Sequence, residues 1–176
     1  MSLYDTSTGV YTECKGNAMS EIYLILHNIR SLHNVGSLFR TADGAGVSKI
    51  YLTGLTGFPP RKEIHKTALG AEEFVAWEHH WELEPVLNQL KAEGVQLIGV
   101  ERCERSQHYL RVDYRLPVAF LLGNEVWGLE PEVIESMDAL VNIPMHGQKE
   151  SLNVSVCGGI LLYGVRAWAE FKGISL

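Results

Sequence analysis

The sequence predicts an α/β fold, a mostly parallel sheet with helices on both faces. Two observations predict it. Short apolar runs of strand length recur along the chain, and segments with helical spacing lie between them. A third sets the scale. The 176 residues, 46% hydrophobic and 20% charged, suit one domain with a single good core, and they contain no internal repeat, low-complexity tract or linker.

Residues 1–20 read as an irregular leader, and 21–176 as the domain. Ile22–His27 is a short apolar run, expected as a buried strand. Asn34 is placed to cap the next helix, in which Val35, Leu38, Phe39, Ala42 and Ala45 follow helical spacing toward a core, with Gly44 and Gly46 at its end. Lys49–Thr53 reads as a second strand and the Gly- and Pro-rich stretch 54–61 as a loop. A short helix over 63–69 and a strand over Phe74–Trp77 follow, with His79 and His80 in a surface turn. Leu83, Val86, Leu87 and Leu90 mark an amphipathic helix ending before Gly94. Val95–Val100 and Pro117–Leu122 are further strands. Pro131 opens a short helix, Ala139–Ile143 is the last strand, and the final helix runs from Ser151 to about Lys172. Gly158 and Gly159 cost that helix ~1 kcal/mol each against alanine, and imply close approach of another backbone.

Composition excludes several functions. No apolar run approaches the ~18 residues of a membrane span, and the start has no secretory signal. Three cysteines without CxxC spacing fit free thiols in a reducing compartment, hence the cytoplasm. Seven histidines form no zinc pattern, so no metal is expected, and neither a P-loop nor GxGxxG is present. The net charge of −6 sits awkwardly with nucleic acid unless a local patch forms. Arg30, Lys49, Arg61, Lys62, Lys66, Arg102, Arg105 and Arg111 are the candidates for one.

The most informative stretch is Ile143-Pro-Met-His-Gly-Gln-Lys-Glu-Ser-Leu-Asn-Val-Ser-Val-Cys-Gly-Gly-Ile160, in which a strand runs through a polar loop into a helix start. Unpaired N–H groups at such a start offer donors to a ligand, and Ser151 and Asn153 are placed either to cap the helix or to bind. Two further segments stand with it: Asn28-Ile-Arg-Ser-Leu-His-Asn-Val-Gly-Ser-Leu-Phe-Arg-Thr-Ala-Asp-Gly-Ala-Gly46 and Leu121-Leu-Gly-Asn-Glu-Val-Trp-Gly-Leu-Glu-Pro131. Gly123-Asn124-Glu125 follows an apolar strand, where ligands of parallel sheets gather. In order and spacing, the three segments resemble the motifs of the SpoU-type RNA 2′-O-ribose methyltransferases, over about Ile22 to Trp168.

The resemblance implies a C-terminal trefoil knot, with cofactor loops at about Leu121–Gly128 and Ile143–Asn153. It implies S-adenosylmethionine as cofactor, S-adenosylhomocysteine as product, tRNA or rRNA as substrate, and a homodimer. By the same resemblance Arg40, Asn34, Glu125, Ser151 and Asn153 serve catalysis, and Leu122, Gly123, Asn124, Glu125, Ile143, Met145, Leu152 and Asn153 meet the cofactor. Arg40 lies opposite the apolar stripe of its helix. A guanidinium with a pKa above ~12 is a poor base, so its expected part is to orient the hydroxyl or a phosphate and stabilise the alkoxide, with the proton going to a neighbouring phosphate, a water or an unusually desolvated Arg40. Glu125 either anchors its loop or pairs with Asn153 or Arg40. Trp127 either shields the pocket or packs as an ordinary aromatic. Gly36 either allows close approach of a backbone or substrate or eases a turn. Gly158 and Gly159 depart from the family, which favours alanine there. With no room for the separate N-terminal RNA-binding domain of many relatives, substrate choice falls to the domain, the leader or a partner. The rival readings are a non-catalytic RNA-binding protein on the same fold and a small-molecule methyltransferase.

Overall fold

Near-continuous burial along the central strands requires cover on both faces of the sheet. The computed structural model describes residues 21–176, together with the backbone of two short strands in the leader, β1 (Tyr4–Asp5) and β2 (Val10–Tyr11), paired antiparallel. The leader is therefore not irregular throughout, and its remaining residues lie outside those described. There follow β3 (Ile22–His27), α1 (Leu32–Ala45), β4 (Lys49–Thr53), α2 (Lys62–Ala68), β5 (Trp77–His80), α3 (Glu84–Ala92), β6 (Gln96–Val100), β7 (Gln107–His108), β8 (Val118–Leu122), α4 (Pro131–Glu135), β9 (Ala139–Asn142) and α5 (Val154–Phe171).

Strands β3 to β9 form a seven-stranded sheet in the order β5-β4-β3-β8-β6-β9-β7, and each neighbouring pair is parallel. Ile22, Leu24 and Leu26 of β3 and Val118, Phe120 and Leu122 of β8 join a core with α1, α2 and α5. Their alternates Ile25, Ala119 and Leu121 join a second core with Leu83, Val86, Leu87 and Leu90 around α3. The expected parallel sheet with helices on both faces is present.

Helix α1 shows how local signals fix the layers. Its buried residues include Val35, Leu38, Phe39, Ala42 and Ala45. The cap is Ser31, whose side chain accepts from Asn34 N (3.3 Å), so Asn34 stands inside the first turn rather than at the cap. Gly46 ends the helix at φ 63, and its N–H and that of Val47 close on Asp43 O and Ala42 O.

Other boundaries also shift. The strand expected over Phe74–Trp77 begins only at Trp77, because Ala71–Glu73 form a 3₁₀ turn and Val75 N bonds Ala71 O (3.0 Å). His79 and His80 thereby belong to β5, not to a surface turn. The two-residue β7 and the 3₁₀ turn Tyr109–Arg111 have no counterpart in the expected elements. Helix α5 starts at Val154, with Asn153 as its cap; Ser151 lies in the loop before it.

The glycines divide by what they face. A Cβ at Gly36 would collide with the Ile64 carbonyl oxygen and the Thr67 hydroxyl, so this position lets α1 lie against the backbone of α2. At Gly158 a Cβ would meet the Leu38 and Leu122 side chains, so that glycine admits side chains rather than the backbone expected there. At Gly159 the nearest atom is Thr41 Cγ2 at 3.6 Å, an ordinary contact.

Gly36→Ala should therefore overpack the α1–α2 contact by about 1–3 kcal/mol, lowering Tm by about 2–12 °C. Gly159→Ala should be neutral or raise Tm, since alanine is favoured over glycine in a helix interior by ~1 kcal/mol. Thermal unfolding of the two variants checks this, and equal effects would contradict the packing argument.

Candidate functional site

At the carboxyl edge of β6, β8 and β9 the chain encloses a cavity of about 830 Å³. Ligands of open parallel sheets lie at this edge. Its apolar wall includes Val100, Leu122, Val141, Ile143, Met145, Leu152 and Cys157, and its polar rim includes Asn34, Glu125, Ser151 and Asn153. Gly123 and Asn124 also face it, so every candidate site residue except Arg40 is on this cavity.

The rim is held by hydrogen bonds that cross between segments remote in sequence. The Glu125 carboxylate accepts from Arg30 N (2.9 Å), Ser31 N (3.1 Å) and Asn34 Nδ2 (2.9 Å). It thus sits on the N-terminus of α1, where unpaired N–H groups and the helix dipole favour an anion. Asn34 Oδ1 in turn accepts from Asn153 Nδ2 (3.1 Å). Asn153 Oδ1 accepts from Ser155 N (2.9 Å) and from the Ser155 hydroxyl (2.6 Å), capping α5. One polar chain, Glu125–Asn34–Asn153, therefore joins the loop after β8, the first turn of α1 and the cap of α5. Of the alternatives for Glu125, the anchoring one is realised; its link to Asn153 runs through Asn34, and it makes no pair with Arg40.

The loop after β8 is built to present Glu125. Asn124 and Gly128 exchange backbone bonds (3.1 and 2.9 Å), and Asn124 Oδ1 accepts from Val126 N and Trp127 N (2.9 and 3.1 Å). Asn124 Nδ2 donates to Asn28 O (2.9 Å). Asn124 thus spends its backbone N–H, its backbone carbonyl and its side-chain oxygen on the loop, and one amide N–H on Asn28. Gly128 turns at φ 69. Glu101 receives Leu129 N (2.8 Å) and Arg102 N (2.9 Å), fastening the same loop to the end of β6. Sequence reasoning missed Glu101; the available signal was a carboxylate directly after an apolar strand.

Between Ile143 and Leu152, the backbone hydrogen bond seen among the described residues is Glu150 O accepting from Arg102 Nη1 (3.3 Å). The other N–H and C=O groups of this cavity-lining loop are uncommitted within the described chain. Ser151 is exposed and its hydroxyl has no partner among the described residues. Burial pushes the Cys157 thiol up to about 11, so it lines the wall as a neutral group.

Arg40 is exposed and stands off the cavity. It lies about 9 Å along α1 from Asn34 and about a third of a turn around it. Trp127 fits neither expectation: it is 84% exposed, and the cavity lining does not include it. The candidate cations separate. Arg30 and Arg102 border this cavity, and Arg61, Lys62 and Lys66 border another of about 580 Å³. Lys49 and Arg105 are paired with Glu78 and Glu135.

Compared with known proteins, residues 21–163 match the SpoU rRNA Methylase family. A tRNA (guanosine(18)-2′-O)-methyltransferase of Aquifex aeolicus is 32% identical over 161 residues, 88% of this chain and 72% of that protein. A 23S rRNA (guanosine-2′-O-)-methyltransferase of Ralstonia nicotianae is 34% identical over 81% of this chain and 57% of its own length. The AdoMet-bound crystal structure of an rRNA methyltransferase from Sinorhizobium meliloti superposes with a TM-score of 0.79 at 34% identity, over 84% of this chain and 56% of that one. This chain thus spans little more than half the length of the latter two. The shared fold implies the C-terminal knot.

The Glu125 contacts carry a pH signature. Burial raises its pKa, but the bonds from Arg30 N, Asn34 Nδ2, Ser31 N and its own N–H outweigh burial and hold it below the ordinary 4.5. A carboxyl depressed on folding contributes stability above its unfolded pKa, and that contribution is lost as pH falls through the folded value. Glu125→Gln should therefore flatten the acid limb of the stability curve below pH 4.5. Urea unfolding in steps from pH 7 downward checks this; parallel curves for the two proteins would count against the cap.

Proposed function

The chain belongs to the SpoU methylase family, and we propose that it transfers a methyl group from S-adenosylmethionine to a ribose 2′-hydroxyl of tRNA or rRNA in the cytoplasm. The observation that carries the reading is the Glu125–Asn34–Asn153 chain, which gathers all three motifs onto the rim of one cavity.

The residues fit the cofactor. Leu122, Ile143, Met145 and Leu152 give an apolar wall for an adenine ring and a methionyl chain. The uncommitted backbone groups of the loop from Ile143 to Leu152 supply donors and acceptors for their polar edges. When bound, the cofactor supplies a methyl group on a positively charged sulfur.

The protein's part is to position the ribose and to stabilise charge. Asn34 and Asn153 each spend one amide N–H and the carbonyl oxygen on the polar chain, leaving each a second N–H for a hydroxyl or phosphate oxygen. Ser151 brings an uncommitted hydroxyl to the same rim. Glu125 is a poor base, because the bonds that hold it anionic depress its pKa. The 2′-hydroxyl proton accordingly passes to water or a substrate phosphate, while Arg40 stabilises the oxygen as its charge grows.

In one chain Arg40 stands off the cavity, and α5 exposes Val156 (51%) and Tyr163 (54%). Both features support a homodimer packed through α5 that completes the site. Light scattering at micromolar concentration should return twice the chain mass; a strictly monomeric mass would remove this part of the reading.

Arg40→Ala should lower single-turnover methylation by ~100-fold or more while leaving S-adenosylmethionine affinity nearly unchanged, as for removal of one charge-stabilising donor. Arg40→Lys should rescue little, because it keeps the charge but loses the planar fork. The assay is labelled-cofactor methylation of total RNA followed by nucleoside analysis. Absence of 2′-O-methyl nucleosides with the unaltered protein would sink the activity, and wild-type rates in folded Arg40→Ala would sink the role of the arginine.

A further inference from the structure

Away from the cavity, a ladder of aromatic rings climbs from the core to the surface at the open end of β4 and β5. Phe58 lies between Trp77 (centroids 6.3 Å, interplanar angle 31°) and His79 (4.3 Å, 37°), and Trp81 meets His79 edge-on (4.8 Å, 86°). Trp77 is buried, whereas Trp81 is 73% exposed. His79 is anchored by a bond from Nε2 to Gly54 O (3.2 Å), and burial lowers its pKa, so it stacks as a neutral ring. An exposed tryptophan held in this way is a costly surface unless something covers it.

Two observations say what covers it. Arg61, Lys62 and Lys66 are exposed along the second cavity, which Trp77 also lines, and among the described residues none has a carboxylate in salt-bridge range. Glu73 on that cavity is exposed as well, and Glu72 is taken up by His65 (2.6 Å). The platform is also tied to the first cavity. Leu55 N donates to Asn28 Oδ1 (2.9 Å), and Asn28 O accepts from Asn124 Nδ2 (2.9 Å) in the Glu125 loop. Planar rings beside unpaired cations match a nucleotide, whose base offers a π-face and whose phosphate offers charge.

We propose that Trp81, backed by His79 and Phe58, stacks an unpaired base of the RNA substrate, while Arg61, Lys62 and Lys66 hold the adjoining phosphates. The proposal rests on the RNA reading above and extends it to a second contact surface, outside the methyl-transfer cavity. The ends of β8 and β5 are three strand spacings apart, about 14 Å, so a strand with its ribose at the rim of that cavity reaches the platform within a few nucleotides.

The test measures binding of a fluorescently labelled ten-nucleotide single-stranded RNA, of labelled total tRNA and of labelled anionic phospholipid vesicles to the full chain, by anisotropy for the RNAs and co-sedimentation for the vesicles, across a salt series. Trp81→Ala should weaken binding about 5- to 100-fold, and Trp81→Phe should retain most of it. Arg61→Ala and Lys66→Ala should each reduce the slope of log affinity against log salt by about 0.7–1. S-adenosylhomocysteine affinity, read by calorimetry, should stay unchanged in all four. Wild-type RNA affinity in Trp81→Ala would overturn the proposal. So would unchanged salt slopes, or a loss confined to binding of anionic vesicles. Failure of methylation alone would appear as RNA binding without product, which separates it from failure of the platform.

Discussion

The structure depends on a carboxylate placed on a helix N-terminus. Glu125 accepts two backbone N–H groups at the start of α1 and the amide of Asn34, which binds Asn153 at the start of α5. Two helix starts and one strand-end loop thus share one hydrogen-bonded chain. A capping bond of this kind contributes on the order of 1 kcal/mol, so the chain is minor beside the two apolar cores. Its weight is geometric: α1, α5 and the loop after β8 are far apart in sequence, and this chain fixes their polar ends on one rim.

That arrangement also limits the chemistry. The bonds that place Glu125 depress its pKa, and a carboxylate already receiving several donors is unsuited to taking a proton. Asn124 is likewise consumed by its loop. The rim offers donors and no strong base, which suits a reaction whose demand is alignment and stabilisation of a growing negative charge. Arg40, the positive charge that the proposal assigns to that task, stands off the rim of a single chain, and the proposed assembly would have a chemical purpose in completing the site.

The sheet, its parallel sense and the two layers of helices were legible because their signal is collective. Five apolar positions in α1 and continuous apolar runs in β3, β4, β6 and β8 all point the same way. Single-residue assignments were less secure. Ser31 and Asn34 are both good caps three residues apart, as are Ser151 and Asn153 two apart; backbone angles decide between them, and periodicity carries no information about those angles. The two residues of β7 are too few to show a period, and β5 is polar on both faces after Trp77, carrying Glu78, His79 and His80. The motifs placed the rim residues on one cavity. The partners of Glu125 are tertiary facts that spacing alone does not contain, whereas the separation of Arg40 from Asn34 around α1 follows from helical spacing.

Net charge shows the same limit from the other side. A chain at −6 reads as unfriendly to RNA when charge is summed over the sequence. Charges in solvent act over a Debye length of about 8–10 Å, so a phosphate responds to its neighbourhood and not to the sum. In the fold Lys49 and Arg105 are neutralised by Glu78 and Glu135, while Arg61, Lys62 and Lys66 gather beside an aromatic ladder, unpaired among the described residues. Acidic residues elsewhere repel a polyanion from the rest of the surface. On that balance a negative total and a local cationic edge act together: the first discourages indiscriminate binding, and the second favours a strand that offers both a free base and its phosphates.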